Sequence, residues 1–100
     1  MKHEIFNQYV DKVAKLFRVE REDLFAKDKR QEMVDARFLL YYLCASRPMK
    51  VSYIQKYMND NGYSTCHSTI VRSLKVVEQR MADDIDYIHV IKSLASDVSI

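Results

Sequence analysis

Residues 52–81 read SYIQKYMNDNGYSTCHSTIVRSLKVVEQRM, and the rest of the expected fold is arranged around this stretch. It contains a shorter and a longer segment whose apolar residues recur at helical spacing, with the pair Asn61-Gly62 between them. Because glycine and asparagine readily adopt the left-handed conformation that ends helices, this pair predicts a break between two helices. A short helix, a break that contains glycine and a longer helix form the outline of a helix-turn-helix.

Hydroxyl residues precede both helices of this pair. Ser52 is predicted to cap the first helix, which we expect to end near Asn59, because a serine oxygen accepts from the free amides of a first turn. Ser64 or Thr65 is predicted to cap the second helix, which we expect to run to about Met81.

The second helix has two chemically different faces when its residues are placed at 100° per step. One face is an apolar stripe that we expect to pack on the core. This stripe consists of Ile70, Leu74, Val77 and Met81. The opposite face is polar or cationic, has one aliphatic residue at its edge and holds no carboxylate. This face consists of Ser68, Arg72, Lys75 and Gln79, with Val71 at its edge.

The first residues of the second helix suit a nucleic acid. A recognition helix enters the major groove by its N-terminal residues, which here are His67, Ser68 and Thr69. An imidazole and small hydroxyls match base edges and phosphate oxygens, and a helix N-terminus itself attracts anions. An ordinary capped helix with a hydrogen-bonded histidine is the alternative, and the one-sided polar face favours DNA over it.

The remaining periodicity predicts three more helices. The first runs from about Glu4 to Phe17 and is followed by a short helical turn before a polar loop at 27–30. The next spans about Gln31 to Ser46 and is apolar over most of its circumference, so we expect it to be the central helix. The last starts at Asp83 or Asp84 and has one apolar face. The sequence therefore predicts an all-α fold of five helices and a short extra turn, in a single domain over residues 1–100.

Composition excludes several classes of protein. The chain has one glycine, whereas a phosphate-binding loop needs two and a dinucleotide fingerprint needs three, so we expect no nucleotide cofactor. The two cysteines and three histidines have no metal-ligand spacing, and no nucleophile and base are paired, so we expect neither a metal nor catalysis. With no apolar stretch of about 20 residues and no signal-peptide core, we expect a cytoplasmic protein with no membrane partner.

Charge is unevenly spread along the chain. The net charge of +2 combines a net +5 over residues 27–80 with a net −3 over residues 81–100. A basic middle segment indicates an anionic partner for that segment.

Residues 67–77 read HSTIVRSLKVV. This order resembles the signature of the C-terminal DNA-binding domain of the bacterial replication initiator DnaA: a histidine, two hydroxyl residues, two aliphatic residues, a small residue and a basic residue. The order upstream is similar too, with a basic loop at 27–30 and Val34 to Arg37 opening the central helix. The resemblance covers roughly residues 5–95.

The resemblance implies a fold similar to the Trp repressor and a way of binding double-stranded DNA. In the major groove, His67, Ser68 and Thr69 would contact bases or phosphates, and Val71 would approach a thymine methyl group. Arg37 matches the arginine that enters the neighbouring minor groove. The full set of expected DNA-contacting residues is Lys27, Lys29, Arg30, Arg37, Ser52, His67, Ser68, Thr69, Val71, Arg72 and Lys75.

The chain also departs from this family. Thr65 and Cys66 replace a basic residue and an aspartate, and the turn is about four residues longer and includes Tyr63. Since the single glycine excludes an ATPase loop, we expect a freestanding DNA reader in replication initiation or transcription regulation, and a homodimer remains open. The alternative is a DnaA-like module that binds a host protein, through an acidic end that includes Tyr87 and Ile88.

Overall fold

The computed structural model describes residues 2–27 and 29–96, in which the chain is helical and has no strand. The α-helices are α1 (Lys2–Phe17), α2 (Gln31–Ala45), α3 (Val51–Asp60), α4 (His67–Asp83) and α5 (Ile85–Ser96). A 3-10 helix over Arg21–Phe25 lies between α1 and α2. The prediction of an all-α fold with five helices and one short turn is confirmed for these residues. Asp28 of the basic loop and Asp97 of the acidic end lie outside the described residues.

Helix α2 is the central helix, as its nearly continuous apolar sequence predicts. It packs against α1, α3, α4 and the 3-10 helix, so most of its circumference is enclosed. Its buried residues are Met33, Ala36, Arg37, Leu39, Leu40, Tyr41, Leu43 and Cys44. Arg37 is the charged residue among them.

Helix α4 lies on α2 through the apolar stripe that the sequence predicts. Ile70 and Val77 are fully buried, and Leu74 and Met81 are partly buried against the same core. Ser73 is also fully buried, and its hydroxyl donates to the Ile70 carbonyl at 2.6 Å, which satisfies a polar group inside the core. This packing turns the opposite face of α4 outward.

Helix α5 is part of the core. Ile91 is buried, and Tyr87 and Leu94 pack against the core from the same helix. The Asp84 carboxylate accepts from the Asp86 amide at 3.0 Å, so Asp84 caps α5, as one of the two predicted starts. Tyr87 therefore serves packing rather than an open surface.

The predicted cap of α3 is wrong. Helix α3 begins after Lys50, whose carbonyl accepts from the Ile54 amide at 3.2 Å, so Ser52 is already the second residue of the helix. Helix α3 starts earlier than predicted because Met49, the residue before Lys50, is buried and donates its amide to the Cys44 carbonyl at 3.0 Å. This anchor places the chain in helical register before it reaches Ser52.

The break after α3 is the one that Asn61-Gly62 predicts. Gly62 has φ +89°, and its amide donates to the Asn59 carbonyl at 3.0 Å. The Tyr63 amide donates to the Met58 carbonyl, also at 3.0 Å. This pair of bonds is the Schellman pattern, in which a left-handed residue ends the helix and satisfies its last carbonyls.

Replacing Gly62 by alanine should destabilise the protein by about 1 kcal/mol, because an L side chain is unfavourable at positive φ. No heavy atom lies within 4 Å of a Cβ built at Gly62, so the cost is conformational rather than steric. Urea denaturation measures the change. Gly62→Asn is the matched variant and should cost less, since asparagine tolerates this conformation. Equal stability of Gly62→Ala and the wild type would contradict the assignment of this turn.

Candidate nucleic-acid interface

The outward face of α4 carries the residues that the sequence places there. Ser68, Arg72, Lys75 and Gln79 are all exposed, and Val71 is half-buried at the edge of the face. Along most of this face the exposed groups are hydroxyls, an amide and cations. A carboxylate approaches it at the C-terminal end, where the Gln79 amide donates to Asp83 at 3.3 Å. The N-terminal three turns of α4 thus present a surface suited to an anionic partner.

Cys66, rather than the predicted Ser64 or Thr65, occupies the N-cap position of α4. Cys66 has extended backbone angles, and its carbonyl accepts from the Ile70 amide at 3.2 Å. Thr65 cannot cap the helix because its backbone is bound to α3. Its carbonyl accepts from the Gln55 side chain at 3.2 Å. The turn is therefore fixed on α3, and the helix starts one residue later.

The Cys66 thiol is exposed and lies among hydroxyl groups. Its Sγ is 3.2 Å from the Ser68 hydroxyl and 3.1 Å from the Thr69 hydroxyl. Hydrogen bonds from the Ser68 hydroxyl, then from the Thr69 hydroxyl and amide, stabilise the thiolate and lower the pKa of Cys66 to about 7. Around neutral pH the charge at the tip of α4 therefore changes.

If this end of α4 binds DNA, this pKa predicts an affinity that falls as the pH rises through about 7. Above that pH the Cys66 thiolate adds a negative charge at the end of α4 that is expected to face phosphates, and the loss should be roughly fivefold. Fluorescence anisotropy with a duplex, measured on both sides of neutrality, gives the change. Cys66→Ser is the control and should remove this part of the pH dependence.

His67 lies beside Cys66 and is exposed. His67 and every other side chain are the same in the wild type and in Cys66→Ser, so the difference between the two pH profiles isolates the thiol. Identical profiles for the wild type and Cys66→Ser would contradict a charge change of Cys66 at the interface.

The basic loop, residues 27–30, lies against the turn that precedes α4. Lys27, Lys29 and Arg30 are exposed. A cleft of about 220 Å³ between the loop and the turn is lined by Lys27, Lys29, Tyr63 and Ser64. The structure thus places the basic loop beside the turn that leads into α4, more than 30 residues further along the chain.

Arg37 is not where the sequence placed it. Its side chain is 3% exposed, so it cannot enter a minor groove in this conformation, and that prediction is wrong. Its Nε donates to the Leu24 carbonyl at 2.9 Å and its Nη2 to the Ala26 carbonyl at 2.6 Å. These carbonyls belong to the end of the 3-10 helix, where backbone acceptors lack helical partners, and Arg37 supplies the missing donors. A signal was present, since Arg37 is four residues after Met33 and three before Leu40, on the apolar side of α2.

The remaining expected contact, Ser52, is exposed in the first turn of α3. Neighbouring Tyr53 is 37% exposed, and the Lys2 ammonium lies 4.7 Å from the centroid of its ring. The sequence did not predict a structural role for Tyr63, whose ring centroid lies 4.4 Å from the central guanidinium carbon of Arg37. An aromatic residue just after a helix-ending glycine is a signal for such a contact, because the turn directs the next side chain back toward the core.

Other kinds of site were sought over residues 2–27 and 29–96. No three histidine, cysteine or acidic side chains there lie close enough together to bind a metal ion. Within the same residues, every helix is too short or too polar to cross a membrane.

No model of a known protein family matches the chain, and no curated protein shows significant sequence similarity to it. The resemblance to the DNA-binding domain of DnaA thus rests on the sequence alone, on residues 67–77 and on the order of the segments upstream of them.

Proposed function

We propose that the protein binds double-stranded DNA sequence-selectively, with the N-terminal half of α4 in the major groove and the basic loop on the adjacent backbone. The observation that carries this proposal is the outward face of α4. Ser68, Arg72, Lys75 and Gln79 are exposed together, opposite a buried apolar stripe that fixes the orientation of the helix. A rigid helix with such a face matches the way recognition helices dock.

The residues of α4 divide into two roles under this proposal. His67 and Ser68 are exposed at the first turn and would read base edges, while half-buried Val71 would meet a thymine methyl group. Arg72 and Lys75 would bind phosphates, which fixes the position of the protein without reading sequence. Ser52, at the N-terminus of α3, would add a backbone contact.

The basic loop supplies the second contact region. Lys27, Lys29 and Arg30 are exposed beside the turn that leads into α4, so both regions would reach one duplex. Each phosphate that these cations neutralise releases counterions, so affinity should fall steeply with salt.

The biological role that fits this proposal is replication initiation or transcription regulation without ATP hydrolysis or other catalysis. The single glycine, Gly62, serves the turn after α3, and the chain has no glycine for a phosphate loop. The described cysteines are free thiols, one of them exposed, as suits a reducing cytoplasm.

Selection from a pool of random-sequence duplexes tests the proposal. We expect enrichment of a short common site, because a single module makes few base contacts. Affinity for that site should exceed affinity for a scrambled duplex at the same salt concentration. The absence of any detectable binding to the pool at about 50 mM salt would overturn the proposal.

A second candidate is a module that binds another protein. The observation in its favour is Ile85, which is 70% exposed at the start of α5, next to the acidic residues Asp83 and Asp84. One exposed isoleucine is common on protein surfaces, so this candidate ranks second. The protein-binding function would replace DNA binding as the proposal if the protein does not bind the duplex pool and Ile85→Ser abolishes binding to a protein partner.

A further inference from the structure

One buried side chain, Arg37, joins the basic loop to the turn before α4. Besides the carbonyls of Leu24 and Ala26, its Nη2 reaches the Asp23 carbonyl at 3.4 Å. The central carbon of its guanidinium group lies 4.4 Å from the centroid of the Tyr63 ring. The same side chain therefore holds the residue directly before the basic loop and the residue directly after the helix-ending glycine.

Both ends of this connection lead straight to residues of the proposed interface. Lys27 follows Ala26, and His67 comes four residues after Tyr63. The chain is held tightly at each end, since the Tyr63 amide is bonded to α3 and the Ala26 carbonyl is bonded to Arg37. The residues that Arg37 holds are thus within one to four positions of residues that would contact DNA.

We propose that Arg37 and Tyr63 are positioning residues, which set the spacing between the basic loop and the N-terminus of α4 on the DNA. This inference rests on the proposed function, and it assigns Arg37 to sequence selectivity without contact to DNA. A fixed spacing lets the loop lysines meet phosphates only when α4 is seated in register on its own site.

The chemistry of the connection requires an arginine. A guanidinium group is planar, so it donates to several carbonyls in its plane and stacks its face on an aromatic ring at the same time. A lysine at the same place keeps the charge but has no planar fork. Arg37→Lys therefore breaks the connection while leaving a cation on α2.

Tyr63 contributes its ring to the connection. Tyr63→Phe keeps that ring, whereas Tyr63→Leu removes it and leaves the backbone of the turn unchanged. Tyr63→Leu and Arg37→Lys, alone and combined, form a double-mutant cycle. If the two residues work as one unit, the double variant should lose no more selectivity than either single variant.

The test compares the dissociation constants for the selected duplex and for a scrambled duplex, at one salt concentration and at a temperature where circular dichroism shows each variant folded. Arg37→Lys and Tyr63→Leu should each lower the ratio of the two affinities about tenfold. Tyr63→Phe should stay within about twofold of the wild type. Val13→Ala, which opens a cavity in the core at α1, is the control for lost stability and should also stay within about twofold.

Three outcomes would overturn the inference. One is an unchanged ratio of the affinities for the selected and scrambled duplexes in Tyr63→Leu. This result is sufficient by itself if Arg37→Lys does not fold. Another is an equal loss of selectivity in Val13→Ala, which would assign the effect to stability. The third is an equal loss of affinity for both duplexes in Arg37→Lys, which would leave the ratio unchanged and would indicate a contact to the DNA backbone that reads no sequence. If the wild type binds no duplex, the proposed function fails and the inference fails with it, whereas the first three outcomes leave the proposed function standing.

Discussion

Replacing Arg72 and Lys75 together by glutamate should lower the affinity for the selected duplex about 100-fold. Both side chains are exposed on the outward face of α4, where each would neutralise a phosphate. The slope of log affinity against log salt should become shallower by about two, because two counterion-releasing contacts are lost. Filter binding or anisotropy across a salt series measures both quantities.

The control reverses the same number of charges elsewhere. Lys15 on α1 and Lys92 on α5 are also exposed, so Lys15→Glu with Lys92→Glu changes the net charge equally. This control should lose little affinity, since neither residue belongs to the outward face of α4 or to the basic loop. An equal loss in both double variants would show that α4 has no special part in binding.

Replacing Arg37 by methionine should destabilise the protein by about 3 kcal/mol. The variant removes a 3% exposed side chain that donates to the carbonyls of Leu24 and Ala26, and it leaves those carbonyls without their donor. It also removes the cation from the face of the Tyr63 ring. Denaturation in urea, followed by circular dichroism, measures the change.

Exposed Arg72 provides the comparison for Arg37. Arg72→Met should change stability by less than about 0.5 kcal/mol, as surface substitutions usually do. If Arg37→Met is as stable as the wild type but binds DNA more weakly, Arg37 would contact the minor groove, which would contradict its buried position.

The helical architecture could be predicted because it depends on local periodicity. The apolar stripe of α4 and the nearly continuous apolar character of α2 each determine which side must be enclosed, and both were identified correctly. The break at Asn61-Gly62 was predictable for the same reason, since a positive φ is a local demand. The caps were less predictable. Cys66 takes the N-cap position of α4 because the Gln55 side chain binds the Thr65 carbonyl, and that bond connects residues ten positions apart.

The candidate site could be predicted only in part. The exposed face of α4 followed from its opposite stripe, but the position of Arg37 depends on carbonyls 11 to 13 residues earlier in the chain. Arginine is mostly found on surfaces, so composition alone argues for exposure. The contact with Tyr63 lies across a turn whose length no local rule specifies. Such contacts arise from the packing of the whole fold, and a linear pattern does not contain them.

The measurement that tests this account most directly is a map of amide chemical shifts on adding the selected duplex to isotope-labelled protein. DNA binding by the proposed surface predicts that the largest changes fall on residues 67–72 and on the described residues of the basic loop. Helix α5, Ile85–Ser96, should change little. Changes centred on α5, or no changes at duplex concentrations well above those of the protein, would contradict the claim that α4 and the basic loop form a DNA-binding surface.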